Sequence, residues 1–220
     1  MSTSESTCWT VIRAAAAGST SDRDELARRY LGAVQAYLSA RWRGSALRDD
    51  LDDATQEVFV ECFRQGGAMD VAAAGRVPNF RAFLYGVVRN VARRFESQPQ
   101  RPAGPLPEIA ANEASLSWLF ERSWAQAIMA EAARLQRRRA EERGPEAVRR
   151  VELLRLRFED NLPIRTIAER WGVPAAGLHH AYALARQEFK AALLEMVAFH
   201  HPGSPAAVEQ EAAGLLKALS

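Results

Sequence analysis

The sequence predicts an all-α protein made of two helical domains joined by a flexible linker. Three observations lead to this prediction. Almost every long segment repeats its apolar residues at the helical period, and no segment alternates convincingly at the period of two typical of strands. Residues 96–115 interrupt the helical pattern with four prolines and a glycine, a composition typical of extended, semi-flexible connectors. A chain of 220 residues is long enough for one large domain or two small ones.

Two helices are predicted at the start of the chain. The first covers residues 8–17 and ends at a Gly-Ser-Thr-Ser turn. The second covers residues 24–42, with Ser21 or Asp22 as its N-cap, because a short polar side chain can accept a hydrogen bond from the first turn. A Gly-Ser pair then ends this second helix.

An acidic amphipathic helix follows, with Asp49 or Asp50 as its cap. At the helical period its apolar face comprises Leu51, Ala54, Thr55, Val58, Cys62 and Phe63. Its opposite face comprises Asp53, Gln56, Glu57 and Val60. Two interpretations stay open for the acidic residues. They either offset the helix dipole or form a surface that orients a cationic partner.

A glycine-rich loop, residues 65–78, leads to a basic and aromatic helix that Asn79 can cap. The residues predicted to be buried are Phe80, Phe83, Leu84, Val87, Val88, Val91 and Phe95. The stripe that remains comprises Arg81, Tyr85, Arg89, Ala92 and Arg93. Guanidinium groups hold phosphates and a tyrosine ring stacks an unpaired base, so the stripe suits a nucleic-acid strand. The alternative is a solvated arginine face over an apolar core.

The second half of the chain is again helical. Helices are predicted over residues 116–139 and 146–158, with a Gly-Pro pair between them. A helix over residues 163–171, a tight break at residues 172–174 and a helix over residues 175–199 then form a helix-turn-helix. The residues predicted to pack inside it are Ile167, Ala168, Val173, Leu178 and Tyr182.

These patterns divide the chain into four segments. We predict a first domain over residues 8–96, a linker over 97–115, a second domain over 116–199 and a tail over 200–220. The tail can form one more short helix, capped by Ser204 with a proline at its first position.

Composition and motifs restrict the class of protein. The net charge of +2 is too small for a protein that coats polyanions, and the two cysteines show no disulfide or zinc spacing. No signal peptide is recognisable, and no run approaches the roughly 20 apolar residues of a membrane span. No nucleophile elbow, P-loop or dinucleotide fingerprint occurs, and no ligand stands at metal spacing beside the histidines. We therefore expect a soluble cytoplasmic protein that is not an enzyme and uses no cofactor or metal.

The order of the segments resembles a known family. The chain resembles an extracytoplasmic-function (ECF) sigma factor in the order of four segments. These are an acidic helix containing QEVF, a helix reading FRAFLYGVVRN, a linker, and the segment LRLRFEDNLPIRTIAERWGVPAAGLHHAYALARQEFKAAL. These factors are two-domain members of the bacterial sigma-70 family. The resemblance spans about residues 9–197. It implies a region 2 helical bundle followed by a region 4 helix-turn-helix.

The resemblance implies two binding surfaces in region 2. The residues that would dock on core RNA polymerase are Asp50, Asp52, Asp53, Gln56 and Glu57. The residues that would bind the melted promoter strand are Arg81, Tyr85, Arg89, Asn90, Arg93 and Arg94. Extruding a base from the stack costs a few kcal/mol, which stacking and hydrogen bonds in a pocket recover. In the family, the loop before this helix forms part of that pocket.

Region 4 would read the distal promoter element as duplex, with its second helix in the major groove. The residues implied are Arg165, Gly177, His179, His180, Tyr182 and Arg186. Arg186 is the first permanent cation of that helix, and histidine is mostly uncharged at cytosolic pH. Few phosphate contacts are therefore available, and we expect weak duplex binding in the absence of polymerase.

Thr55 raises a question of regulation. Some ECF groups with a similar N-terminus are linked to Ser/Thr kinases rather than to anti-sigma factors, and a phosphate on Thr55 would add negative charge to the docking surface. The alternative is a hydroxyl that bonds to its own helix backbone. Either an anti-sigma factor or a kinase is thus an expected partner.

The resemblance implies an alternative sigma factor that binds core RNA polymerase, directs promoter recognition and strand opening, and so initiates transcription. Its partners would be core RNA polymerase and promoter DNA, both duplex and melted. Two other functions remain open: an autonomous helix-turn-helix regulator, and a sigma-like adaptor that does not bind promoters.

Overall fold

In the computed structural model the protein is described over residues 8–64, 80–97 and 113–219. All regular structure in these ranges is helical, which confirms the all-α class for them. The elements are α1 (Cys8–Ala16), α2 (Thr20–Arg41), a 3₁₀ turn (Ala46–Asp50), α3 (Leu51–Phe63), α4 (Phe80–Glu96), α5 (Glu113–Arg143), α6 (Pro145–Phe158), α7 (Ile164–Trp171), α8 (Ala175–His200) and α9 (Pro205–Leu219). None of these helices is long and apolar enough to cross a membrane. The predicted glycine-rich loop, the Asn79 cap and most of the predicted linker lie outside the described residues.

Serine side chains cap two of the helices. Ser19, rather than the predicted Ser21 or Asp22, caps α2, because the helix begins about one turn earlier than predicted. The Ser19 hydroxyl accepts a hydrogen bond of 3.4 Å from the Asp22 N–H. Ser204 caps α9 as predicted, and its hydroxyl accepts a hydrogen bond of 3.3 Å from the Ala207 N–H.

The described residues divide into two compact units. The first unit holds the residues up to Ala127 and those from Val197 onward, and the second holds Ile128–Met196. The start of α5 and the C-terminal tail thus belong with the first unit. The physical reason is burial, since Leu116 and Phe120 of α5 are almost completely buried among the rings of the first unit.

Aromatic rings form much of the core of the first unit. Tyr30 of α2 stacks on Trp124 of α5, with ring centroids 5.0 Å apart, and its ring lies 4.9 Å from that of Phe80 of α4. Phe120 contacts Tyr37 from α2 as well, at 6.1 Å. These contacts bury one face each of α2, α4 and α5, and the apolar area removed from water stabilises the arrangement.

A buried ion pair fixes the end of α2 to the end of α4. Arg41 and Glu96 form a bidentate pair, with Nε–Oε1 at 2.6 Å and Nη2–Oε2 at 2.9 Å. The indole N–H of Trp42 donates to Oε1 of Glu96 at 3.0 Å, and the Arg41 guanidinium also donates to the Tyr37 hydroxyl at 3.1 Å. Hydrogen bonding to Glu96 raises the pKa of Arg41. The polar groups of this buried cluster satisfy one another.

The second unit is built around the predicted helix-turn-helix. Its core cluster comprises Leu153, Leu156, Ile164, Ile167, Ala168 and Leu178. Away from that cluster, the side chain of Gln136 on α5 donates to the Ala185 carbonyl of α8 at 2.9 Å. Arg150 of α6 pairs with Glu188 of α8 at 2.7 Å. One apolar cluster and two polar contacts therefore join α5, α6, α7 and α8.

Candidate nucleic-acid and protein interfaces

The acidic helix α3 presents two of the predicted carboxylates fully to solvent. Asp52, Asp53 and Gln56 are exposed, whereas Asp50 and Glu57 are half-buried. The apolar face is confirmed, with Ala54, Thr55, Val58 and Cys62 buried and Leu51 and Phe63 half-buried. Val60 lies on the solvent face and is 52% exposed.

Thr55 and Cys62 lie on the buried face of α3. The Thr55 hydroxyl donates to the Leu51 carbonyl at 2.7 Å, which is the backbone-bonded alternative considered above. Thr55 is only 4% exposed, so a kinase would have to open the helix packing to reach it. Burial, with a smaller contribution from Glu61, raises the pKa of the Cys62 thiol to about 12. The thiol is therefore protonated and unreactive at neutral pH.

The basic helix α4 buries most of the predicted face, with three residues that differ. Phe80, Leu84, Val87, Val88 and Val91 are buried as predicted, but Phe83 and Phe95 are only half-buried. Ala92, expected in the solvent stripe, is completely buried. Phe120 and Glu121 of α5 contact the side of α4 that carries Arg81 and Tyr85.

The predicted DNA-binding stripe of α4 is consequently divided in two. At its N-terminal end, the Tyr85 ring lies 5.2 Å from Phe120 and 5.7 Å from Tyr37. Arg81 forms ion pairs of 3.2 Å with Glu121 and 3.0 Å with Glu211. At the C-terminal end, Asn90, Arg93 and Arg94 are exposed, while Arg89 is half-buried. Arg81, Tyr85 and Arg89 are thus half-buried, and the fully exposed members of the stripe lie at its C-terminal end.

Ion pairs join the acidic and basic helices directly. Arg94 of α4 contacts Glu57 of α3 at 3.0 Å and Glu61 at 3.5 Å. All three groups are partly solvated, so each pair contributes at most about 1 kcal/mol to stability. The two helices are predicted to bind different charged partners, but some of their charged side chains also pair with each other.

The helix-turn-helix forms as predicted, with one glycine at its turn. Gly172 adopts the left-handed conformation, with φ 62° and ψ 37°, and its N–H is directed at the carbonyls of Ala168 and Glu169. The Val173 N–H donates to the Ala168 carbonyl at 3.1 Å. A residue with a β-carbon is strained at this φ, which explains glycine at the position.

The predicted recognition surface is open at its N-terminal end. The exposed members are Arg165, Gly177, His179, His180 and Arg186. Arg165 pairs with Glu169 of its own helix at 3.2 Å. Tyr182 is half-buried: the Arg186 guanidinium lies 5.8 Å above its ring, and the ring of Phe158 lies 6.4 Å away. The exposed arginines of the helix-turn-helix are Arg165, Arg170 and Arg186.

Sequence reasoning did not find the carboxylates that contact Arg81. Glu121 lies on α5, which was assigned to the other domain, and Glu211 lies in a tail without an assigned role. Burial raises the pKa of Glu121; Glu211 adds to this rise, whereas Arg81 opposes it. The spacing of Val208, Glu211, Ala212 and Leu215 could have indicated that Glu211 faces the protein.

No group of three or more His, Cys, Asp or Glu side chains within the described ranges could hold a metal ion. A scan against models of protein families found no match to this chain, and a search of curated proteins found none either.

Proposed function

We propose that this protein is an alternative sigma factor of the ECF type, which binds core RNA polymerase and directs it to promoters. We infer this from one observation: a single chain carries an acidic helix packed on a basic helix, followed by a helix-turn-helix. The resemblance of the sequence to that family supports the same function. No catalytic step is required of the protein, because binding and positioning are sufficient for this role.

The exposed face of α3 is the proposed contact with polymerase. Asp52, Asp53 and Gln56 offer acceptors to arginines of a partner helix, and Val60 adds apolar area beside them. Exposed charges of this kind increase the association rate and fix orientation more than they raise affinity.

Two surfaces are proposed to contact DNA. Asn90, Arg93 and Arg94 at the open end of α4 would hold a melted strand through its phosphates. The first turns of α8, with His179 and His180 exposed, would face the major groove of duplex DNA. An anti-sigma factor is the proposed regulator, since buried Thr55 gives little support to a kinase.

Run-off transcription with purified core polymerase tests the proposed function. We expect a promoter-dependent transcript from fragments of the source genome only when the protein is added. The double substitution Asp52→Ala/Asp53→Ala should weaken binding to core polymerase about five- to ten-fold. A matched control is Asp24→Ala/Glu142→Ala, which removes two exposed carboxylates elsewhere. Equal loss in both variants would show that overall charge, and not the face of α3, determines binding.

One observation favours a second candidate, a sigma-like adaptor that binds polymerase without opening promoters. Tyr85 packs against Tyr37 and Phe120, and Arg81 is held by two carboxylates, so the predicted base-stacking end of α4 is occupied. The adaptor predicts binding to core polymerase without any transcript. An autonomous regulator instead predicts duplex binding that needs no polymerase.

A further inference from the structure

The C-terminal helix α9 contacts the basic helix α4 through one acidic side chain. The buried residues of α9 are Val208, Ala212 and Leu215, which lie on one face of the helix. Glu211 lies on the same face and its Oε1 stands 3.0 Å from Nη1 of Arg81. The side chain of this glutamate is 28% exposed, so the contact is only partly accessible to solvent.

Two carboxylates contact the Arg81 guanidinium. A second carboxylate, that of Glu121, lies 3.2 Å from the same guanidinium. Burial raises the pKa of Glu121, Arg81 opposes this rise, and the nearby Glu211 carboxylate adds to it. Release of α9 breaks the pair between Arg81 and Glu211 and also exposes Val208, Ala212 and Leu215, so it needs a partner that compensates for the lost burial.

The connection to α9 allows such a release. Residues 201–204, His-Pro-Gly-Ser, are exposed and separate α8 from α9. Upstream of them, His200 is anchored because its Nδ1 shares a hydrogen bond of 2.9 Å with the Tyr30 hydroxyl. Movement can therefore be confined to α9 while the end of α8 stays in place.

We propose that α9 is an autoinhibitory helix, in which Glu211 occupies Arg81 in place of a phosphate of single-stranded DNA. The inference rests on the proposed function of α4 as a surface for a melted strand. A carboxylate and a phosphate oxygen use the same guanidinium donors, and a phosphate placed beside the Glu211 carboxylate is repelled by its like charge, so each weakens the binding of the other. DNA binding and docking of α9 then compete, and a partner that displaces α9 activates the protein.

Fluorescence anisotropy of a labelled single-stranded oligonucleotide tests this competition in the full-length chain. Glu211→Gln keeps the size of the side chain and removes its charge, so the fold should persist and affinity for the oligonucleotide should rise about three- to five-fold. Asp24→Asn is the control, because it removes one exposed carboxylate from α2 without touching Arg81. The double variants Arg81→Gln/Glu211→Gln and Arg28→Gln/Glu211→Gln both have the net charge of the wild type, and Arg28 is an exposed arginine of α2. Only the first should lose the gain, whereas a general effect of charge would lose it in both.

The outcomes separate the inference from the function on which it rests. If Glu211→Gln binds the oligonucleotide no better than the wild type or the Asp24→Asn control, the inference is overturned, whether or not transcription is observed. If Glu211→Gln binds more tightly but no variant supports a run-off transcript with core polymerase, α9 regulates nucleic-acid binding and the sigma function fails. Hydrogen exchange of residues 205–219 should also be faster in Glu211→Gln than in Asp24→Asn, and equal rates would contradict the competition.

Discussion

Acid should destabilise the first unit through one buried histidine. His200 lies among the rings of Tyr30, Trp124 and Phe199, and its Nδ1 shares a hydrogen bond of 2.9 Å with the Tyr30 hydroxyl. Burial, together with the nearby Arg29 guanidinium, lowers the pKa of His200 from 6.5 to about 3. The neutral imidazole therefore belongs to the folded state, and the protonated one favours unfolding.

The sign and size of the effect follow from proton linkage. Because the unfolded chain binds the proton more tightly, the free energy of unfolding falls as the pH drops from 6.5 towards 3. Full stability is present above pH 6.5, and about 1.4 kcal/mol is lost for each pH unit inside this window. Between pH 7 and pH 5 the expected loss is about 2 kcal/mol.

Urea unfolding at pH 7 and pH 5, followed by tryptophan fluorescence, measures this loss. Most tryptophans of the chain lie before Ala127 in the first unit, so the signal reports on it. His200→Gln, which cannot titrate, should lower stability at both pH values but reduce the difference between them by about 2 kcal/mol. His201→Gln is the matched control, since this neighbouring histidine is exposed and should leave the difference unchanged. The same pH difference in His200→Gln and the wild type would refute the reasoning.

Two further predictions concern stability. Glu96→Ala removes the partner of buried Arg41 and should lower the free energy of unfolding in urea by about 3–5 kcal/mol. The control Glu61→Ala breaks only exposed pairs and should cost no more than about 1 kcal/mol. Comparable losses in the two variants would contradict the burial argument. Gly172→Ala should lower the melting temperature through about 1–2 kcal/mol of backbone strain at φ 62°. Gly177→Ala should raise it through about 1 kcal/mol of helix propensity, since open space surrounds both positions. Changes of the same sign in the two glycine variants would argue against the left-handed turn.

Local sequence patterns were sufficient for the helix-turn-helix. Its two helices end within a residue or so of the predicted limits, and Gly172 lies at the predicted break. The apolar spacing also predicted that Ile167, Ala168 and Leu178 would be buried. These features depend on contacts between residues close in sequence, which propensity and periodicity describe well.

The candidate surfaces were predicted less completely, because they depend on distant segments. The solvent face of α3 followed from its own periodicity, and Asp52, Asp53 and Gln56 are exposed as that pattern requires. Exposure of Arg81 and Tyr85 was inferred in the same way, but α5 and α9 cover them. The helical period of a sequence indicates which face of a helix is apolar. It does not indicate which other helix packs beside the polar face.

The sequence by itself determined the helical class, the helix-turn-helix and the order of the acidic and basic helices. Each of these depends on the spacing of residues that are close together in the chain. Only the tertiary structure decided that the start of α5 and the tail helix α9 join the first unit. It alone also placed Glu121 and Glu211 on Arg81. Contacts between residues far apart in sequence depend on which apolar faces bury one another, and no local pattern encodes that choice.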